Sequence, residues 1–153
     1  MWGELHEAKI ITIILPEIIS SGKANRLLRE LGATLHYDVY SFEAKKYENW
    51  QSESILHLGL KAGGIEVDAQ DDFDEIEVTY LLATRPSSDQ SLALVKIQKL
   101  IDVFSGKGIY QKEQFDISKV QDDWDSCNRY LLQEWGEEPG NKELRRMIEE
   151  NYA

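Results

Sequence analysis

The chain of 153 residues contains one cysteine, Cys127, and so cannot close an internal disulfide. Nothing in its cysteine usage points to an oxidising compartment. Three prolines and ten glycines are too few for a low-complexity linker, and no segment recurs at a fixed period. Long apolar runs are missing too. The run from Ile10 to Leu15 is far too short to span a bilayer. The acidic segment before it, from Met1 to Glu7, is the reverse of the basic start of a signal peptide, so a cytoplasmic location is expected.

Positive charge is the scarcer sign. Twenty-eight acidic residues stand against 17 basic ones, for a net charge of −11. Such a field repels phosphate backbones and anionic membrane surfaces, so neither nucleic acid nor membrane is an expected partner. It favours encounter with a basic protein. The basic residues Lys23, Arg26, Arg29, Lys45 and Lys46 come with no aromatic nucleic-acid-binding motif, and internal ion pairs are their expected use.

Catalytic signatures are also lacking. There is no G-x-S-x-G, and Ser105-Gly106-Lys107-Gly108 follows a helical stretch, where a phosphate loop must precede one. His6, His36 and His57 are scattered and Cys127 stands alone, which argues against zinc. Cys127 falls on an apolar stripe, where a small buried thiol is the common outcome. His36 beside Asp38, and His57, are the only candidate general bases. No catalytic residue, cofactor or metal is therefore assigned.

What is present is carboxylate. Seven of the twelve residues from Glu66 to Glu77 are acidic and none is basic. Asp68, Asp71, Asp72 and Asp74 have the oxygens for calcium or magnesium, but the calcium-loop pattern fails: glycine is required where Phe73 or Glu77 stands. The run reads as a charged, wet connection between two strands. A second concentration lies in the tail, at Asp122, Asp123 and Asp125 around Trp124, then at Glu134, Glu137 and Glu138 around Trp135. Carboxylates beside exposed aromatics suit the lysines and arginines of a partner. In the opposite reading both tryptophans are core.

Hydrophobic periodicity places these features. Ala8 to Leu15, rich in isoleucine, predicts a central strand that Pro16 ends. A helix follows to Leu31, capped at Ser20-Ser21 and closed by Gly32. Thr34 to Phe42 alternates as one strand and would complete a βαβ-like unit, and Ser41 to Ser54 reads as irregular. Ile55 to Leu60, with Ile65–Val67 returning after Gly63-Gly64, predicts a hairpin. Ile76 to Thr84 is the next strand, Ser87 to Phe104 the clearest helix, and Ile109 to Phe115 a weaker strand. Ile117 to Trp135 predicts a helix, and Asn141 begins a last one. The expected fold is α+β and ferredoxin-like: a split βαβ layered sheet with helices on one face. Residues 1–115 would form the core of a single domain and 116–153 a helical appendix.

The acidic run at 66–77, the Asp122-Asp123-Trp124-Asp125 segment and the Trp135-Gly136-Glu137-Glu138-Pro139 segment together give the chain a known general character. It resembles the immunity proteins of bacterial polymorphic-toxin and contact-dependent inhibition systems. The resemblance implies an acidic surface that covers the basic cleft of a nuclease toxin. The expected function is thus non-enzymatic neutralisation of a basic protein partner, by a monomer or homodimer. The partner-binding candidates are Asp68, Asp71, Asp72, Asp74, Glu75, Asp122, Asp123, Trp124, Asp125, Glu137 and Glu138. The alternative is a small enzyme or metal-dependent protein using His36, Asp38 or the acidic loop.

Overall fold

The computed structural model describes residues 8–43, 54–81 and 87–135. In chain order the elements are β1 (Ala8–Ile19), α1 (Ser21–Glu30), β2 (Thr34–His36), β3 (Val39–Glu43), β4 (Ser54–Ala62), β5 (Ile65–Val67), β6 (Phe73–Leu81), α2 (Ser87–Val103), β7 (Lys107–Tyr110), β8 (Glu113–Gln114) and α3 (Ile117–Trp135). The fold is α+β. All eight strands join one sheet in the order β2-β3-β4-β6-β1-β7-β8, with β5 also on β4, and every pairing is antiparallel. Among the described residues, no helix is long and apolar enough to cross a membrane.

Alternation decides which face is buried. Ile11, Ile13 and Leu15 of β1, Leu56, Leu58 and Leu60 of β4, and Ile76, Val78 and Tyr80 of β6 all join one core. The helices complete that core with Ala24 and Leu28 of α1, with Ala93, Leu94, Ile97 and Leu100 of α2, and with Val120 and Trp124 of α3. Each large apolar side chain so buried contributes about 1.5–3 kcal/mol. The other sheet face carries Ile10, Ile14, Val39, His57 and Gly59, which are exposed.

Both helix-ending motifs follow from backbone hydrogen bonding. At the end of α1, Gly32 takes the left-handed conformation (φ 97°), donating to the Arg29 carbonyl while Ala33 donates to that of Leu28. This is the six-to-one and five-to-two pattern of a Schellman close. At the end of α2 the left-handed residue is Ser105 (φ 51°), not Gly106. Gly106 stays bare for a different reason: a Cβ there would lie 2.6 Å from the Ile13 methyl.

Several expected boundaries move. β1 runs through Pro16 to Ile19, so the helix begins only at Ser21. Pro16 has no N–H to pair, and Leu15 to Ile18 bulge opposite Asp74 alone, between the Ile14–Glu75 and Ile19–Phe73 pairs. The single strand expected over 34–42 is a hairpin, with Tyr37 (φ 57°) and Asp38 as its turn. The strand expected over 109–115 is another hairpin, turning at Gln111 and Lys112 with both φ positive. No βαβ pairing joins β1 to β2; the neighbours of β1 are β6 and β7. Of the irregular connection expected over Ser41–Ser54, residues 41–43 belong to β3 and Ser54 opens β4. Residues 44–53 and the last helix lie outside the described residues, as do Glu137 and Glu138.

Candidate functional site

β4 is where the sheet forks. On one side it pairs with β6 from His57 to Lys61. On the other side it pairs first with β3, through Leu58 opposite Tyr40, and then with β5, through Leu60 opposite Val67. Gly59 falls between those two partners, and β3 begins and β5 ends beside it. The divergence opens a hollow of about 520 Å³ on the sheet face that carries the exposed Val39, His57 and Gly59. Its exposed apolar wall is Val39, while Val67, in register with the buried Leu60, packs on the core. Its polar lining includes Asp38, His57, Lys61, Glu66, Asp68, Glu77 and Thr79.

Four carboxylates thus share the lining with one lysine, and that lysine is already engaged. Lys61 Nζ lies 3.0 Å from Glu77 and 3.9 Å from Glu75, both on β6. The hydrogen bond to Glu77 holds the Lys61 pKa above its usual value. Among the described residues, the carboxylates of Asp38, Glu66 and Asp68 face the hollow with no ion pair of this kind. The site can therefore take a cation.

The structure distributes the acidic run differently from a free loop. Glu66 is in β5, and Asp74, Glu75 and Glu77 are in β6, leaving 68–72 as the connection. Most of these acids hold main chain or lysine. Asp71 accepts from the Asp68 N–H at 3.0 Å, Asp72 from the Ser21 N–H at 3.1 Å, and Asp74 from the Gly63 N–H at 3.3 Å. Asp68 is the candidate from this run that lines the hollow. Ala69 and Phe73, within the same stretch, are core.

The tail cluster is divided likewise. Trp124 is 0% exposed and stacks on Tyr80, with ring centroids 4.7 Å apart and planes 8° from parallel. Its assignment to a partner surface is therefore corrected: its stripe on α3 is the one that docks on the sheet. Asp123 accepts from the Tyr110 hydroxyl at 2.5 Å and lies 4.0 Å from Lys9 Nζ; Asp125 accepts from Gln90 at 2.7 Å. Burial first, then the bond to Asp123, pushes the Tyr110 phenol up to about 12. Asp122 is exposed.

Of the alternative set, Asp38 lines the hollow with His57, whereas His36 sits on β2 opposite Val39 and is not part of the lining. Among the described residues, no group of three or more His, Cys, Asp or Glu is placed to hold a metal ion.

Gly59 and Val39 are not among the candidates read from the sequence, and Glu66 opens the acidic run without being one of its partner-binding candidates. A lone glycine inside the alternating Leu56-His57-Leu58-Gly59-Leu60 was the available signal, because a glycine within a strand often marks close approach of another group. Neither a protein-family model nor a curated protein matches the chain. Fold and hollow define only a class: an α+β protein with one sheet face covered and the other presenting an acidic recess.

Proposed function

We propose that this chain is a non-enzymatic acidic binding protein that neutralises a basic protein partner, and that the recess over Gly59 receives the partner's cations. The observation that carries this reading is the hollow, whose lining holds Asp38, Glu66, Asp68 and Glu77 together with a lysine already paired on β6. Asp71 and Asp72, although bonded to main chain, are exposed and add to the same negative field. A toxin with a basic, nuclease-like cleft is the partner that the resemblance to immunity proteins implies, and the acidic recess supports that chemistry. We also read the scaffold as ferredoxin-like. The order β4-β6-β1-β7 supports this, with α1 between β1 and β4 in sequence and α2 between β6 and β7.

The test is titration with an oligolysine peptide at several salt concentrations. Asp38→Asn, Glu66→Gln and Asp68→Asn combined should weaken binding by about tenfold, from three exposed pairs of a few tenths to 1 kcal/mol each. The salt dependence should flatten as well. Unchanged affinity and slope in the triple variant would remove the hollow from the interface.

A further inference from the structure

The two glycines that lie inside strands among the described residues differ in one respect. A Cβ on Gly108 would lie 2.5 Å from Ile101 Cδ1 and 2.9 Å from Phe115 Cβ, so packing requires glycine there. A Cβ on Gly59 would meet nothing closer than the Glu77 carbonyl oxygen at 3.7 Å, an ordinary contact. Nor does Gly59 adopt a positive φ, as Gly32, Gly63 and Gly64 do. Neither sterics nor backbone conformation calls for glycine at Gly59, yet glycine within a strand costs about 0.5–1 kcal/mol relative to alanine. What its missing side chain does is keep the floor of the hollow bare.

We infer that the hollow is a receptor for one arginine side chain of the partner, laid flat across Gly59. This rests on the reading of the recess as the cation site. The charge is complementary: Asp38, Glu66 and Asp68 line the recess, and Lys61 is held back by Glu77 at 3.0 Å. The shape selects among cations. A guanidinium is planar, weakly hydrated and carries five N–H donors, so it can rest on a bare Cα beside the exposed Val39 while bonding to carboxylates on more than one side. A lysine ammonium is compact and strongly hydrated, and gains little from the flat floor or apolar wall.

The experiment uses the full chain, with N-acetyl-arginine amide and N-acetyl-lysine amide as probes and backbone amide NMR shifts as readout. The arginine probe should give saturable shifts at Val39, Gly59, Val67 and Asp68, with the lysine probe several-fold weaker. Gly59→Val should abolish those shifts without lowering the thermal unfolding midpoint. If Gly59→Val fails to fold, Gly59→Ala should weaken arginine binding more than lysine binding. Equal affinity for the two probes, shifts centred elsewhere, or undiminished binding of arginine by the Gly59 variant that folds would each overturn the inference. Those failures leave the wider reading standing if the triple carboxylate variant still loses oligolysine; if that variant binds as before, both readings fall.

Discussion

The Asp72 carboxylate accepts a hydrogen bond from the Ser21 amide, 51 residues away, and so occupies an orphan donor in the first turn of α1. Ser20 serves the same turn, accepting from the Lys23 N–H at 3.4 Å. An anion at this end also complements the helix dipole. Asp72→Ala should therefore cost about 1 kcal/mol of stability, measured by urea unfolding, while oligolysine affinity changes little. A large loss of affinity with no loss of stability would reverse that assignment.

Trp124 should behave as core. Trp124→Ala removes the ring stacked on Tyr80 and is expected to cost about 3–5 kcal/mol, comparable with the whole margin of many domains. A variant as stable as the parent in denaturant would contradict the burial of this side chain.

Alkaline pH should act through Tyr110. Its phenol ionises at about 12 in the fold, against an ordinary value of 10.0, so the folded state holds the proton more tightly than the unfolded state. The stabilisation is complete below pH 10 and is lost as pH rises from 10 through about 12. Tyr110→Phe should remove that part of the pH dependence of the urea midpoint. It should also delete one phenolate that titrates above the ordinary range from the ultraviolet absorbance curve.

Gly108→Ala should destabilise by about 1–3 kcal/mol through overpacking against Ile101 and Phe115. Thermal unfolding of this variant beside Gly59→Ala makes the comparison internal: the first midpoint should fall, and the second should hold or rise.

Lys61→Gln removes the cation that lines the recess and releases Glu77 and Glu75. Affinity for oligolysine should rise several-fold and its salt dependence should steepen. Weaker binding would mean that Lys61 contacts the ligand directly.

Sequence periodicity located most of the scaffold, because the β4, β6, α2 and α3 stripes each had one face to bury and alternation or helical spacing records that directly. β1, apolar at nearly every position, reads as a strand covered on both faces, whereas its Ile10 and Ile14 are exposed. The two missed hairpins share a cause. Tyr37 in the first turn, and Gln111 and Lys112 in the second, adopt positive φ without being glycine or asparagine, so the residues that usually announce such turns are absent. The turn at Tyr37-Asp38 also interrupts an alternating run that reads as one strand. The acidic cluster was legible as composition but not as function. Which carboxylates serve main-chain amides, as Asp72 does for Ser21, and which face a recess depends on contacts across the fold that no local pattern encodes. Trp124 and Asp123 show the same split between neighbours, since adjacent helical positions point to different surroundings.

The fork at β4 has one more consequence. The gap between β3 and β5 is set by which backbones pair with Leu58 and Leu60, so its width does not depend on the rotamers around it. Rim positions such as Asp38, Glu66 and Asp68 are exposed, and exposed substitutions usually change stability by less than about 0.5 kcal/mol. Evolution can therefore redraw the charge pattern of the rim, and with it the choice of partner, on a scaffold whose fold does not register the change.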